Sequence, residues 1–192
     1  MKKSLSELSL EELWRLFPID VTKYSERYTE QYERELENLT HLCGKAIARI
    51  NHIGSTAVKN LVAKPIVDIL MEVTKSTDIP ALIHLLTESG WLLMSESATS
   101  PMKLSFNKGY TEDGFADEVF HLHVRYKGDW GELYFRDYLK EHTPIAEEYA
   151  QLKLKLMEIY RYDRDTYTEA KTEFVEKYTA IARKAYRGRY SA

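Results

Sequence analysis

Residues 51–72 contain, in close succession, the residue types that can hold a phosphate group and a metal ion. Gly54 can adopt backbone angles that other residues avoid, and Ser55 and Thr56 offer hydroxyls and amides that suit a phosphate at the start of a helix. Asp68 supplies an anionic oxygen, the ligand type that a hard cation prefers. The order of turn, short helix, strand and carboxylate predicts a site for a nucleotide and a metal.

The elements on either side of this turn are expected to bring Asp68 back towards it. Residues 46–53 are short, β-branched and alternately apolar, and residues 66–73 are almost continuously apolar, so both are predicted to be strands. A lone Gly-Ser-Thr turn more often caps a helix than binds phosphate, and this structural role is the alternative. An aspartate in an apolar strand is costly unless its charge is matched, which favours a functional role for Ser55 and Asp68.

Two histidines further along the chain are candidates for the same site. In the run FHLHV, His121 and His123 alternate with apolar residues, so both imidazoles face one side of a strand, about 6.5 Å apart at the backbone. If that strand pairs with residues 66–73, both rings and Asp68 converge on one cation. Imidazole ligands suit Zn, Mn, Fe or Ni better than Mg. The alternative is a pair of surface histidines on a half-exposed strand.

Three further residues have both a functional and a structural interpretation. His52 precedes the turn and either faces the same cleft or orders the turn by a local hydrogen bond. Lys64, just before Pro65, is placed to meet a phosphate, although most lysines are simply exposed. Arg136, at the start of a predicted helix, either binds phosphate in a bidentate manner or pairs with a carboxylate of the early helix.

Composition limits the function classes. The chain has 192 residues and a formal net charge of -3, which argues against holding nucleic acid by bulk electrostatics but leaves a small anionic substrate possible. The single cysteine, Cys43, excludes an intrachain disulfide and fits a reducing compartment. The first residues lack an apolar core of signal-peptide length, and no later run is predicted to span a bilayer. A cytoplasmic protein is therefore expected.

Periodicity predicts an α+β fold with a mixed sheet of about five strands, one long early helix and a C-terminal helical layer. We expect one domain over residues 1–192, with a core at about 40–127 and C-terminal helices at about 130–187. Residues 107–118 are polar and are predicted to form a hairpin loop. The predicted strands are 46–53, 66–73, 91–94, 102–107 and 119–126, and the main helices are 25–42, 78–89, 130–142, 144–160 and 166–186.

The segment HIGSTAVKNLVAKPIVDIL resembles the signature of the GrpB family, a group of small bacterial proteins with a nucleotidyltransferase-like fold. The resemblance extends to LFPIDVTKY, FHLHVRY, YFRDYLKEH and the closing YTEAKTEFVEKYTAIARKAY, so that it covers residues from about 10 to about 186. The family itself is usually described as uncharacterised. The resemblance therefore implies the fold more specifically than the reaction.

The nucleotidyltransferase pattern implies roles for individual residues and also shows departures. Gly54 and Ser55 match the phosphate-binding turn, and Asp68 matches the first metal-binding carboxylate. The second carboxylate is expected two residues later, where this chain has Leu70. Glu72 shares a strand face with Asp68, but four residues of strand span about 13 Å, too far for one metal to bridge both.

A second departure lies in the loop after the turn. The family usually has Pro-Gly where this chain has Lys59-Asn60. Because asparagine tolerates the left-handed conformation better than most residues, the loop is expected to form nevertheless.

The leading hypothesis is a nucleotidyltransferase-like enzyme that uses a divalent metal, Mg or Mn with Zn possible, to transfer a nucleotidyl group from a nucleoside triphosphate to a small acceptor. One alternative is a nucleotide-binding module without turnover, which the replacement of the second carboxylate by Leu70 suggests. Another is a metal-dependent phosphoester hydrolase that uses Asp68 with His121 and His123. The expected partner is a small-molecule nucleotide rather than a membrane, and the oligomeric state is left open.

Overall fold

The computed structural model describes residues 3–97 and 101–191. Its five strands form one mixed sheet in the order β1-β2-β5-β4-β3, and helices cover both faces of the sheet. The predicted single domain stays a prediction, and its ends at residues 1–2 and 192 lie outside the described residues. The expected α+β class, with about five strands and a C-terminal helical layer, is confirmed.

The strands are β1 (Ile47–Ile53), β2 (Val67–Val73), β3 (Leu92–Ser97), β4 (Lys103–Thr111) and β5 (Gly114–Tyr126). The helices before and within the sheet are α1 (Leu10–Leu16), α2 (Arg27–Cys43) and α3 (Ile79–Glu88). The C-terminal helices are α4 (Gly131–Glu141), α5 (Thr143–Tyr160), α6 (Arg164–Glu169) and α7 (Thr172–Ala185). In the described ranges, no helix combines the length and apolar character needed to cross a membrane.

Strand β2 carries Asp68 and has different neighbours on its two sides. It pairs antiparallel with β1, where Asp68 is opposite Ile53, and parallel with β5, where Asp68 is opposite His121. The parallel pairing also places His123 opposite Leu70. The sheet therefore brings the end of β1, the start of β2 and the histidines of β5 together, as expected from the sequence.

The two faces of β2 pack against different layers because successive side chains alternate between faces. Val67, Ile69 and Met71 belong to a buried core that includes residues of α2 and α3. On the opposite face, Leu70 packs with Ile53 and with Leu133 of α4. Asp68 therefore faces the side of the sheet that the C-terminal helices cover.

Two regions differ from the sequence prediction. The predicted loop at 107–118 is mostly strand, because β4 and β5 continue as a hairpin to the pair Thr111 and Gly114. Aromatic packing holds this extension, since the Tyr110 ring contacts Phe115 and Phe17 with centroids 5.2 and 4.7 Å apart. Of the polar side chains that suggested a loop, Asn107 is buried, whereas four near the tip of the hairpin are exposed, namely Thr111, Glu112, Asp113 and Asp117.

The predicted helix at 166–186 is two helices, α6 and α7, separated at Ala170 and Lys171. The N-cap of α6 is Asp163, whose carboxylate accepts a hydrogen bond from the Thr166 amide at 3.0 Å. A helical periodicity does not reveal such a break, because the apolar spacing continues across it. The break places Lys171 beside the cavity described next.

Candidate functional site

The Gly-Ser-Thr turn and Asp68 are in direct contact. Gly54 has φ of +70°, and a Cβ atom added to it would lie 2.4 Å from Asp68 Oδ2. Glycine is therefore required twice, for its left-handed backbone and for the space that the carboxylate occupies. The predicted neighbourhood of turn and carboxylate is present in the structure.

The Asp68 carboxylate is held by a chain of hydrogen bonds that crosses the sheet. His121 Nδ1 lies 3.1 Å from Asp68 Oδ1, and His121 Nε2 lies 2.8 Å from the Tyr110 hydroxyl. Arg164 Nη2 donates to that hydroxyl at 2.7 Å. Arg164 Nη2 also lies 3.3 Å from His121 Nε2, and because arginine only donates, this contact makes Nε2 an acceptor that also takes the Tyr110 proton. The network thus assigns the remaining ring proton to His121 Nδ1, which donates to Asp68.

Burial alone would raise the pKa of Asp68, but the hydrogen bond from His121 and the electrostatic effect of the two neighbouring histidines hold it well below its ordinary value. Burial lowers the pKa of His121, with Arg164 and Lys64 acting in the same direction against the attraction of Asp68. Both directions fit an ionised aspartate that accepts from a neutral imidazole. His123 Nε2 is 3.8 Å from Asp68 Oδ1, which is beyond a direct hydrogen bond.

This network does not fit the predicted three-ligand metal centre of Asp68, His121 and His123. His121 Nδ1 carries a proton towards Asp68, and the Nε2 lone pair is used by Tyr110, so neither nitrogen is free to bind a metal. In the described part of the chain, no group of three or more His, Cys, Asp or Glu side chains is arranged to hold a metal ion. His121 orients the carboxylate, and the donor set for a protein-held transition metal is incomplete.

The cavity in front of Asp68 is strongly basic, which the sequence did not predict. It has a volume of about 310 Å³ and is lined by the turn, Asp68, both histidines and side chains of the C-terminal helices. Four of the described lining residues are basic, namely Lys64, Lys153, Arg164 and Lys171, against one carboxylate. Lys64 was predicted as a phosphate contact, and the structure places it here.

The lysines of this cavity are held close to one another and to aromatic rings. The Nζ atoms of Lys171 and Lys64 lie 4.1 and 5.8 Å from the centroid of the Tyr167 ring. Burial, and then repulsion from neighbouring cations, lowers the pKa of Lys64 to about 7. Burial likewise lowers the pKa of Lys171 to about 8. An anion in the cavity would therefore be bound by groups that at present repel each other.

Lys153 of α5 contacts the turn itself. Its Nζ lies 2.8 Å from Ser55 Oγ and also donates to the Val62 carbonyl. The side chain is buried, at 3% exposure, and burial followed by repulsion from Lys171 and Lys64 lowers its pKa to about 7. One signal in the sequence could have identified this residue, since Lys153 lies on the apolar face of α5 together with Tyr149 and Leu156.

His52 and Thr56 form an internal support for the turn. The Thr56 hydroxyl donates to the Ile66 carbonyl at 3.1 Å, so it accepts from His52 Nε2 at 3.0 Å. The His52 ring stacks on Tyr32 with centroids 4.7 Å apart, and burial lowers its pKa to about 4. Of the two interpretations of His52, the structure supports the local one. Because the Thr56 hydroxyl donates its hydrogen to the Ile66 carbonyl, it is not available to donate to a phosphate.

Arg136 was predicted as a phosphate contact, and the structure places it elsewhere. Its guanidinium donates to Asn51 Oδ1, the His52 carbonyl and the Tyr190 hydroxyl, and it pairs with Asp137 at 2.8 Å. It does not line the cavity. Pairing with a carboxylate was the alternative, although the partner is its neighbour in α4 rather than a residue of the early helix. Arg136 therefore joins α4 and the C-terminal segment to β1.

Glu72 is excluded as a second catalytic carboxylate by its surroundings. Its side chain has no exposure to solvent, and Oε1 accepts from Arg49 Nη2 at 2.7 Å and from the Gly128 amide at 3.0 Å. Leu70, at the position expected for that carboxylate, is fully buried against Ile53 and Leu133.

In the loop after the Gly-Ser-Thr turn, Asn60 adopts φ of +65°, so this loop forms with asparagine in the left-handed conformation, as expected.

Comparison with known proteins identifies the family. The family model described as GrpB protein matches residues 18–180. The chain is 31% identical to glutamate-rich protein GrpB of Alkalihalophilus pseudofirmus over 80% of its own length and 90% of that protein. It is 29% identical to UPF0157 protein YqkA of Bacillus subtilis over 94% of its own length, and it spans about half, 52%, of that relative.

A solved structure shows the same fold. The crystal structure of conserved protein GrpB from Enterococcus faecalis matches with a TM-score of 0.75 and 31% identity, over 87% of this chain and 99% of that one. The matched family residues contain the turn, β2, β5 and the helices that supply the basic side chains. On these matches, the chain belongs to the GrpB family.

Proposed function

We propose that this cavity binds the polyphosphate of a nucleoside triphosphate and that the protein transfers the nucleotidyl group to a small acceptor. The observation that carries the proposal is the set of four basic side chains that surround a small cavity beside the Gly-Ser turn, with a single carboxylate among them. A small anion with several charges is the ligand that best relieves their mutual repulsion.

The size of the cavity supports the same ligand class. A volume of about 310 Å³ is at the lower end of the range for small-molecule sites. It suits a polyphosphate, while the nucleoside would extend through the opening. Lys64 and Lys171 would bind the phosphates, and the fixed Asp68 carboxylate would be the protein contact of a divalent cation that enters with the nucleotide.

The direct test is calorimetric titration with ATP, GTP, CTP and UTP in the presence of Mg or Mn. Binding in the micromolar range by at least one nucleotide is expected, and no binding near millimolar concentration would contradict the proposal. Exposed Lys177 of α7 offers a matched control for Lys171 at the start of the same helix. Lys171→Met should weaken binding about tenfold or more, the value of one charge-assisted hydrogen bond, whereas Lys177→Met should not change it.

Nucleotide binding should take up protons. Lys64 and Lys171 have pKa values lowered to about 7 and about 8, so both are partly neutral at pH 8. A bound polyanion raises these pKa values, and binding therefore weakens as the pH rises from 7.5 to 9. Titration at pH 8 in buffers of different ionisation enthalpy measures the uptake. No uptake, or proton release, would show that these lysines do not contact the phosphates.

A second candidate is a nucleotide-binding module without turnover. The observation in its favour is the replacement of the second carboxylate by buried Leu70, with Glu72 held by Arg49. The two candidates differ in pyrophosphate release. Release that requires a divalent metal and disappears in Asp68→Asn supports the transferase, whereas nucleotide binding without release supports the module.

A further inference from the structure

The contact between Ser55 and Lys153 joins a hydroxyl to a buried amine. Lys153 Nζ lies 2.8 Å from Ser55 Oγ and also donates to the Val62 carbonyl. The carbonyl only accepts, so it fixes one N–H of Lys153. A neutral amine with that bond in place still has a lone pair for the hydroxyl proton of Ser55. The same atoms can therefore hold Ser55 as a donor, which is the arrangement of a nucleophile and its base.

The position of Ser55 suits attack on a ligand in the cavity. It follows Gly54, whose left-handed backbone turns the chain at the end of β1, and it lines the cavity together with Asp68 and the basic residues. Lys153 approaches from the helical layer on the opposite side. Serine and lysine pairs of this kind occur as nucleophile and base on unrelated folds.

We propose that Ser55 is a nucleophile, that Lys153 is its general base, and that the pair forms a covalent phosphoester with an activated phosphate compound. That the compound is a nucleoside triphosphate rests on the proposed function. The covalent intermediate also accounts for a site in which Asp68 is the single carboxylate, because the transfer is divided into two steps. Neither step depends on a second carboxylate to align an acceptor hydroxyl.

The first step is balanced within the site. Ser55 Oγ attacks the α-phosphorus, a new O–P bond forms, and the bond from phosphorus to the bridging oxygen of pyrophosphate breaks. The hydroxyl proton passes to Lys153 Nζ, and pyrophosphate leaves as the anion. In the second step an acceptor hydroxyl attacks the same phosphorus and releases its proton to solvent water, and Lys153 returns its proton to Ser55 Oγ as the bond between Ser55 and phosphorus breaks.

The charged groups around Lys153 set its protonation. Lys64, Lys171 and Arg164 repel an ammonium, Asp68 attracts it, and the Tyr149 ring lies 4.7 Å from Nζ. Burial, followed by repulsion from Lys171 and Lys64 against the attraction of Asp68, brings the pKa of Lys153 to about 7, so a substantial neutral fraction is present near pH 7.5. Only this neutral fraction can accept the proton of Ser55, so a bound polyphosphate, which raises the pKa of Lys153, should shift the first step towards higher pH.

The test uses a small fluorophosphonate, which labels activated serines by forming an O–P bond with loss of fluoride. Intact mass spectrometry of the full chain should show one adduct, mapped to Ser55 by peptide analysis. The rate should rise with pH through about 7 as Lys153 loses its proton. Lys153→Met and Ser55→Ala should each lower labelling at least a hundredfold, whereas Lys155→Met, an exposed lysine on the same helix, should leave it unchanged. No adduct at pH 8.5 would overturn the proposal.

A second variant covers the case in which the Lys153 variants fail to fold. Ser55→Cys places a thiol beside the Lys153 amine, and the alkylation rate of that thiol should exceed that of Cys43. Native Cys43 is the internal reference, because it is buried and its pKa is raised to about 11. A thiol at position 55 that reacts no faster than Cys43 would contradict an activated site.

Incubation with a nucleoside triphosphate and Mg separates this inference from the proposed function. An adduct of nucleotidyl mass on Ser55 supports both. Fluorophosphonate labelling without nucleotide binding retains the serine and lysine pair and rejects the nucleotide. Nucleotide binding without any adduct of either kind retains the proposed ligand and overturns the nucleophile.

Discussion

Arg49→Met should lower the free energy of unfolding by about 3–5 kcal/mol, the usual cost of removing one partner from a buried ion pair. The Glu72 side chain has no solvent exposure, and Arg49 supplies two of the described hydrogen bonds to its carboxylate. Among the residues that the structure describes, only the Gly128 amide would still donate to the Glu72 carboxylate. Urea denaturation of the variant and the parent at pH 7 measures the difference, and a loss below 1 kcal/mol would contradict this account of Glu72.

The matched control replaces both partners. Because a buried ion pair exchanged for apolar residues is often neutral, Arg49→Met combined with Glu72→Met should recover most of the lost stability. The double variant also tests the role of Glu72 in the site. Unchanged nucleotide binding would agree with a structural carboxylate, whereas loss of binding in a stable double variant would return Glu72 to the functional residues.

The local elements of the site could be predicted from the sequence. The turn, β2 and the alternation of His121 and His123 each follow from a short pattern with a defined period. The pairing of Asp68 with His121 joins residues far apart in the chain, and the sequence could predict it only on the condition that β5 lies next to β2. The register then decided which histidine contacts the carboxylate.

The basic side chains were not predictable in the same way, because they come from helices that reach the cavity only through tertiary packing. Arg164 and Lys171 lie at the start of α6 and at the break before α7, which the periodicity did not reveal. Lys153 left a weak signal as a lysine on an apolar face. Arg136 shows the opposite case, since its motif suggested a ligand contact while its hydrogen bonds join α4 to β1.

The predicted metal site shows that residue types and spacing alone do not establish a metal-binding centre. Aspartate and two histidines on adjacent strands have the composition of a metal site. Whether a histidine can bind a metal, however, depends on which of its ring nitrogens carries a proton. Tyr110 and Arg164, which no spacing rule connects to the histidines, fix the tautomer of His121. Asp68 and His121 consequently form a hydrogen-bonded pair, while His123 Nε2 lies 3.8 Å from the carboxylate.

Gly54→Ala should be the most damaging small substitution at the site. The added methyl would lie 2.4 Å from Asp68 Oδ2 and 3.0 Å from Asp68 Cβ, and alanine would have to adopt φ of +70°. Alanine at φ of +70° and ψ of -170° would occupy a region that is essentially restricted to glycine, at a cost of about 1–3 kcal/mol, and the overlap adds about 1–3 kcal/mol of overpacking. We expect a total loss of about 2–6 kcal/mol in the free energy of unfolding, together with loss of nucleotide binding.

Gly90→Ala separates these two contributions. Gly90 also has positive φ, +86°, but a Cβ atom there would have no neighbour within 4 Å. Gly90→Ala should therefore show only the backbone cost and retain full nucleotide binding. Equal destabilisation of the two variants in urea would mean that the Asp68 carboxylate is not held against Gly54.

The destabilisation caused by Gly54→Ala should depend on whether the Asp68 carboxylate is present. In a double-mutant cycle, Asp68→Ala removes the carboxylate that the new methyl would overlap, so Gly54→Ala should cost less in the Asp68→Ala background than in the parent. A coupling of at least about 1 kcal/mol is expected, since the two residues are in direct contact. Additive losses would indicate that the turn and the carboxylate are independent, and the support for a phosphate turn positioned by Asp68 would be lost.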